Sequence, residues 1–286
     1  VYLALLIVIA IFGLVIAVIF AKFPESVLPV WSQIPIAIAT GIAMRRFPKA
    51  IIPITILAVV ALYSVVYLGQ YVPFIMPVLS IGTWELPATG TWTLLLLAYA
   101  LIASILPVTT LLQPRDYINA WQLYIALGLM FLGLLVSGFS GNLPIVAPAL
   151  QLNPVDAPPI WPFLFVTIAC GAISGFHCLV SSGTTAKQLD KESDALPIGY
   201  GSMLIEAFLA TVMIIAVAAG IGMAYPQADG IILTGVDAWN AHYHSWTAST
   251  GLGAKLSAIV VGLANMMQSI GIPHHIGILI VGMFIA

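Results

Sequence analysis

Long apolar runs dominate the chain, and their lengths predict membrane-spanning helices. They measure roughly 18 to 25 residues, the length that a helix needs to cross about 30 Å of hydrocarbon. Nine runs can be distinguished, at 1–21, 27–44, 50–68, 91–112, 120–139, 160–182, 200–224, 254–272 and 276–286. The pattern therefore predicts an all-α membrane protein, a polytopic transmembrane helix bundle in which about nine spans form a single domain.

Both ends of the chain fall inside apolar runs. No basic segment or cleavage signature accompanies the first run, so we interpret it as a membrane span and not as a signal peptide. Because Val1 and Ala286 both lie within such runs, we expect the domain to be truncated at both ends. Pro273 and two histidines separate the eighth run from the ninth, and a re-entrant eighth segment stays an alternative.

The few charged residues favour one set of alternate loops. If the chain crosses the membrane at every run, the loops 45–49, 113–119 and 182–199 share one side and carry six Lys or Arg residues, against two for the opposite side. Cytoplasmic loops carry such an excess of cations. We therefore expect these three loops in the cytoplasm, while the Trp and Tyr residues of the other loops are typical of an interfacial belt.

Composition excludes several classes of protein. The chain is 62% hydrophobic and 6% charged, whereas a soluble domain has about 25% charged residues. No basic block indicates a nucleic-acid partner, and the lipid bilayer is the expected environment. Because motifs for ATP binding and hydrolytic catalysis are missing, we expect no enzyme and no cofactor other than a coupling proton or sodium ion.

The sixth run holds the densest set of polar residues at membrane depth. Small residues recur there at steps of three and four, beside a histidine and a run of hydroxyl groups: Gly171, Ser174, Gly175, His177, Ser181, Ser182, Gly183 and Thr184. Small residues also allow close helix packing, which is the alternative interpretation. Packing needs no histidine, however, so we favour a broken helix that lines a substrate or ion pathway.

Three charged residues are further candidates. Glu206 lies about six residues into the seventh run with no cation near it in the sequence, which suits either a proton-relay carboxylate or a helix-end carboxylate that reaches water. Arg115 and Asp116 follow Pro114 in the predicted 113–119 loop. They could form a gate with the 182–199 loop, but we favour Asp116 as a first-turn helix anion.

Two histidine pairs complete the list, His242 with His244 and His274 with His275. A metal site needs three or four ligands, and neither pair has acidic or Cys residues at suitable spacing. We expect no metal.

Several sequence segments resemble those of a known family. The run from Phe163 to Leu189, its continuation through Ile198-Gly-Tyr-Gly201 to Glu206, and the Pro114-Arg-Asp-Tyr117 segment closely resemble the carbon starvation protein A family, with the same order and spacing. The resemblance implies a prokaryotic inner-membrane transporter that imports peptides or a small carboxylate such as pyruvate during nutrient limitation. It also implies an amino acid, polyamine and organocation superfamily fold with two inverted five-helix repeats, in which the sixth run is a broken helix.

The sequence thus predicts an ion-gradient-driven secondary transporter with a small-molecule substrate. A channel, or a structural subunit of a larger membrane assembly, is the alternative. Nothing in the sequence indicates an oligomeric state.

Overall fold

The structure is a computed structural model that describes residues 2–81, 84–152, 155–172, 181, 185–227 and 230–285. Helices account for most of the described chain. They are α1 (Tyr2–Lys22), α2 (Val27–Arg46), α3 (Ile51–Gly69), α4 (Ala88–Ile105), α5 (Leu112–Phe139), α6 (Ile160–Ala172), α7 (Ala195–Ala218), α8 (Gly235–His242), α9 (Trp246–Thr250), α10 (Leu252–Gln268) and α11 (His274–Ile285).

Two short antiparallel hairpins lie in the connections between helices. Strands β1 (Leu79–Ile81) and β2 (Trp84–Leu86) pair between α3 and α4. Strands β3 (Tyr225–Pro226) and β4 (Ile232–Leu233) pair between α7 and α8. Both hairpins belong to connections that the charge pattern assigns to the non-cytoplasmic side.

Within the described residues, six helical segments are long and apolar enough to cross a membrane. They are Leu5–Lys22, Pro24–Arg46, Pro48–Gly69, Ala88–Ile105, Leu112–Phe139 and Glu192–Gly222. The other three predicted spans coincide with the shorter apolar helices Ile160–Ala169, Leu252–Gln268 and His274–Ile285. The chain is a polytopic helical membrane protein, and both the count of nine spans and the inverted repeat stay predictions.

The boundary between α4 and α5 differs from the sequence expectation. α4 ends at Ile105 because Leu106 precedes Pro107 and adopts an extended conformation, as residues before proline prefer. α5 then begins at Leu112, with Pro114 in its first turn, where the missing N–H leaves no helical hydrogen bond unmade. Residues 113–119 are therefore helical and do not form the predicted loop.

α10 is the most deeply buried helix of the described bundle. It packs against α1, α5, α7 and α11, and its segment from Val260 to Met267 is buried throughout. Glycines allow close approach, since Gly262 faces the backbone of Ala216 in α7 and Gly133 of α5 faces the backbone of Met266. Transmembrane helices lack a hydrophobic force between them, so this backbone contact is a main source of their packing energy.

An irregular buried segment follows α7. Residues Gly220–Gly222 form a 3-10 turn and are fully enclosed. The buried amide of Asn265 donates hydrogen bonds to the carbonyls of Gly220 at 2.9 Å and of Ala224 at 2.6 Å. Non-helical backbone at membrane depth needs such partners because hydrocarbon offers none.

Candidate functional site

A polar cavity of about 460 Å³ lies between α2, α5, α7 and α11. Its polar side chains come from α2 and α5, whereas α7 and α11 supply apolar groups. The polar residues are Gln33, Arg115, Asp116, Asn119 and Gln122, and the apolar ones include Leu209, Met283 and Phe284. A polar cavity inside an apolar helix bundle is the feature that a solute pathway requires.

Helical spacing and helix packing bring these residues together. Arg115, Asn119 and Gln122 are four and three residues apart, so they share one face of α5. Gly41 of α2 meets Pro114 of α5, where an added Cβ would lie 2.5 Å from the proline ring. Because the two helices run antiparallel, Gln33, eight residues before Gly41 on α2, meets Gln122, eight residues after Pro114 on α5.

The two glutamines form a buried hydrogen bond. Gln33 Nε2 donates to Gln122 Oε1 at 3.1 Å, and the side chains are only 3% and 4% exposed. One turn earlier on α5, Asn119 Oδ1 is buried and has no hydrogen-bond partner among the described residues. Buried polar atoms are normally satisfied, so an open acceptor beside a polar cavity is a place where a ligand or water can bind.

Arg115 lines two cavities at once. Besides the polar cavity, it borders an apolar one of about 360 Å³ between α1, α2 and α4, where Trp31 and Tyr99 also lie. Its guanidinium carries five N–H donors in a planar fork that matches a carboxylate. Asp116 lies next to it and interacts with it electrostatically. The site therefore combines a fixed cation, a carboxylate and neutral amides.

The structure places Arg115 and Asp116 on α5 and not in the predicted loop, while their role as a gate stays a prediction. Contact between this end of α5 and the 186–194 segment is made by Gln113 Nε2, which donates to Gln188 Oε1 at 3.1 Å. Asp116 is not a first-turn anion, because α5 begins at Leu112 and its first turn contains no acidic residue. Arg115 is a helix residue in the cavity wall and not a loop cation.

Most of the residues predicted on the sixth run lie outside the part of the chain that the structure describes. Ser174, Gly175, His177, Ser182, Gly183 and Thr184 lie outside the described residues. Gly171 and Ser181 are described and exposed, and neither lines the polar cavity. Glu206 is exposed on α7, three residues before the cavity-lining Leu209. Their roles as a pathway stay predictions.

Sequence reasoning missed the neutral amides. Gln33, Asn119 and Gln122 carry no charge; Gln33 and Gln122 lie within predicted apolar runs, and Asn119 is the last residue of the predicted 113–119 loop. Uncharged amides in otherwise apolar spans are the signal that could have found them. Their meeting could not have been predicted from spacing, because Gln33 and Gln122 are 89 residues apart.

Among the described residues, no group of three or more His, Cys, Asp or Glu side chains converges, and the absence of a metal stays a prediction. His242 is buried and its Nδ1 lies 3.0 Å from the hydroxyl of Tyr225. His244 Nδ1 lies 3.1 Å from the carbonyl of Ala241. His275 is exposed.

Known proteins similar to this chain share one family. A model of the family described as carbon starvation protein CstA matches residues 1–276. A peptide transporter CstA of Helicobacter pylori is 39% identical over 197 residues, which are 68% of this chain and 28% of that protein. The pyruvate/proton symporter BtsT of Escherichia coli is 34% identical over 221 residues, or 75% of this chain and 30% of that protein.

A peptide transporter CstA of Bacillus subtilis is 41% identical over 160 residues, 51% of this chain and 26% of that protein. The chain thus spans less than a third of the length of these relatives. No solved structure matches the chain. Because the family match extends over residues 1–276 and includes all five polar residues of the cavity, this polytopic membrane protein belongs to the carbon starvation protein CstA family.

Proposed function

We propose that the chain forms part of a secondary transporter of the prokaryotic inner membrane, which imports peptides or a small carboxylate such as pyruvate. Relatives over two thirds or more of the chain are named as a peptide transporter and as a pyruvate/proton symporter. The observation that carries the proposal is the guanidinium of Arg115 in a polar cavity within an apolar helix bundle. Arg115 is half-buried in the first turn of α5, where its guanidinium can meet an anion that enters the cavity from that end of the bundle.

Arg115 is the proposed contact for the substrate carboxylate. Pyruvate and a peptide both present a carboxylate, which the guanidinium can bind with two parallel hydrogen bonds. The open acceptor of Asn119 and the glutamine pair suit the amide groups of a peptide. The apolar cavity on the other side of Arg115 has room for a hydrophobic side chain.

Asp116 is the proposed coupling group, and a proton is the proposed coupling ion. When Asp116 is ionised, its charge opposes that of Arg115 and disfavours a second carboxylate nearby. Protonation of Asp116 removes this competition, so substrate and proton would bind together. Glu206 on α7 is a further candidate for carrying the coupling proton. Sodium is the alternative coupling ion.

Uptake by the intact protein tests the proposal. Full-length protein in liposomes is expected to accumulate labelled pyruvate or dipeptide under an imposed proton gradient. Arg115→Gln should lower uptake by about 30-fold or more, because a lost charge pair is worth about 2–5 kcal/mol and each 1.4 kcal/mol is a factor of about ten. Arg46→Gln is the matched control, since Arg46 is exposed and lines neither cavity.

Three results would each contradict a different part of the proposal. Wild-type uptake by Arg115→Gln would remove the polar cavity as the binding site. Absence of uptake of either substrate under proton and sodium gradients would remove the substrate assignment. Asp116→Asn should keep substrate binding but lose the dependence of uptake on the proton gradient, and an unchanged dependence would exclude Asp116 as the coupling group.

A further inference from the structure

A second polar cavity, of about 450 Å³, lies near the C-terminal end of α1. Its wall comes from α1, β3, α8 and the N-terminal end of α10. Lys22 lies just before the N-terminal end of α2. Arg115 lies near the other end of α2, because its neighbour Pro114 meets Gly41 close to the C-terminal end of that helix. Lys22 and Arg115 therefore lie toward opposite ends of the bundle, and the two cavities share no lining residue.

The donors of this cavity are positioned by protein contacts. Lys22 Nζ donates to the carbonyl of Gly253 at 2.7 Å. An ammonium has three N–H donors, and this is the one hydrogen bond that Lys22 makes to the described residues. Gly253 lies in the first turn of α10, a helix of 17 residues, and the amides of a helix N-terminus favour an anion.

His242 is an independent observation that points to a ligand. Its side chain is 6% exposed, it lines the cavity, and its Nε2 has no hydrogen-bond partner among the described residues. The hydroxyl of Tyr225 lies 3.0 Å from Nδ1. When that hydroxyl donates to Nδ1, the ring proton is on Nε2. The ring also interacts with the backbone of Ala254, but Nε2 makes no hydrogen bond of normal geometry to the described residues.

Burial lowers the pKa of His242, and the nearby Lys22 and His244 lower it further, while the backbone of Ala254 opposes the shift. The ring is therefore neutral at neutral pH, and its positive surroundings disfavour a proton. An anion in the cavity would reverse this balance. No carboxylate is present among the described lining residues to do so.

Small side chains make up most of the remaining lining. Ala241, Ala248, Gly251 and Ala254 offer methyl groups and backbone, beside the hydroxyl of Ser257 and the ring of His244. The cavity thus combines donors for a negative charge with a short apolar surface, and this combination suits a short-chain carboxylate.

We propose that the cavity formed by Lys22, Tyr225, His242 and the first turn of α10 binds a small organic anion through its carboxylate, as a site separate from the one at Arg115. Lys22 and Nε2 of His242 donate hydrogen bonds to the carboxylate, and the lining alanines contact the apolar tail. The site goes beyond the proposed transport function, since it requires binding only.

Calorimetric titration of sodium butyrate into the purified full-length protein tests this site. The Arg115→Gln background removes the other proposed carboxylate contact, so any saturable binding that persists belongs to a different site. In that background, Lys22→Met and His242→Gln are each expected to weaken butyrate binding at least tenfold. Tyr225→Phe keeps the ring but removes the hydroxyl beside Nδ1, and should weaken binding several-fold while disturbing the fold least.

The matched controls are Lys49→Met and His275→Gln, which change an exposed cation and an exposed histidine away from the cavity. Both should bind butyrate as the Arg115→Gln protein does. Loss of all saturable binding in Arg115→Gln would overturn the second site and leave the transport proposal standing. Unchanged affinity in all three cavity variants would also overturn it, as would binding of inorganic phosphate with an affinity equal to that of butyrate.

Discussion

At the scale of single residues, the pair Gln33 and Gln122 shows how a neutral polar contact organises the site. Each amide is buried, and each satisfies part of the other's hydrogen-bonding capacity at 3.1 Å. Removing one partner leaves the other amide buried without its bond, which costs about 1–3 kcal/mol. Removing both leaves no orphan, so the two substitutions should not add.

We therefore expect Gln33→Leu and Gln122→Leu each to lower the free energy of unfolding of the full-length protein by about 1–3 kcal/mol. The double variant should lose clearly less than the sum of the single losses. Denaturant unfolding in detergent micelles measures all three. Gln151→Leu, at an exposed loop position, is the control and should change stability by less than about 0.5 kcal/mol. Strictly additive losses would contradict a direct pair.

At the scale of elements, the packing of α5 against α10 rests on small residues in contact with backbone. Gly133 of α5 faces the backbone of Met266 at a distance that leaves no room for a Cβ atom. One turn and a half earlier on the same helix, Gly128 has nothing within 4 Å of the position that a Cβ would take. Both glycines thus lie on α5, but only Gly133 is in close contact with another helix.

Gly133→Ala is expected to lower the free energy of unfolding by about 1–3 kcal/mol, because the added methyl forces α5 and α10 apart. Gly128→Ala is the control, and it should be neutral or stabilise by up to about 1 kcal/mol, since alanine favours helix over glycine. Thermal unfolding of both full-length variants in the same detergent makes the comparison. Equal effects of the two substitutions would mean that α5 and α10 do not approach as closely as described.

At the scale of the whole molecule, large apolar side chains cover much of the outer surface. Leu6 of α1, Leu57 of α3, Ile102 of α4 and Val166 of α6 are all exposed. Apolar surface of this extent is typical of contact with lipid and not with water. Together with six segments of membrane-spanning length in the described chain, it places the bundle in a bilayer.

The charge pattern predicts an orientation in the bilayer, and labelling can test it. In a cysteine-free full-length background, Lys49→Cys and Lys191→Cys should react with an impermeant maleimide only after the cytoplasmic face is opened. Gln151→Cys and Ile232→Cys, which are exposed in the predicted opposite loops, should react in intact cells. Labelling of all four from the same side would contradict the assignment from the positive-inside rule.

Much of the architecture was predictable because hydrocarbon thickness constrains helix length. The apolar runs correctly predicted helices near 27–44 and 50–68, and the run 254–272 overlaps α10, which ends earlier, at Gln268. Each run must satisfy its backbone internally. The predicted loop 113–119 was wrong. Those residues belong to α5, because proline is well tolerated in the first turn of a helix and Pro114 occupies that place.

The sequence by itself determined the class of the protein, the positions of most helices and the family, because composition, run length and local motifs are all properties of neighbouring residues. The tertiary structure alone decided which polar groups meet. Gln33 and Gln122 come from helices distant in the chain, and Arg115 gains its surroundings from α2, α7 and α11. Such meetings depend on helix register, which is decided by contacts such as Gly41 with Pro114 and cannot be deduced from spacing along one helix.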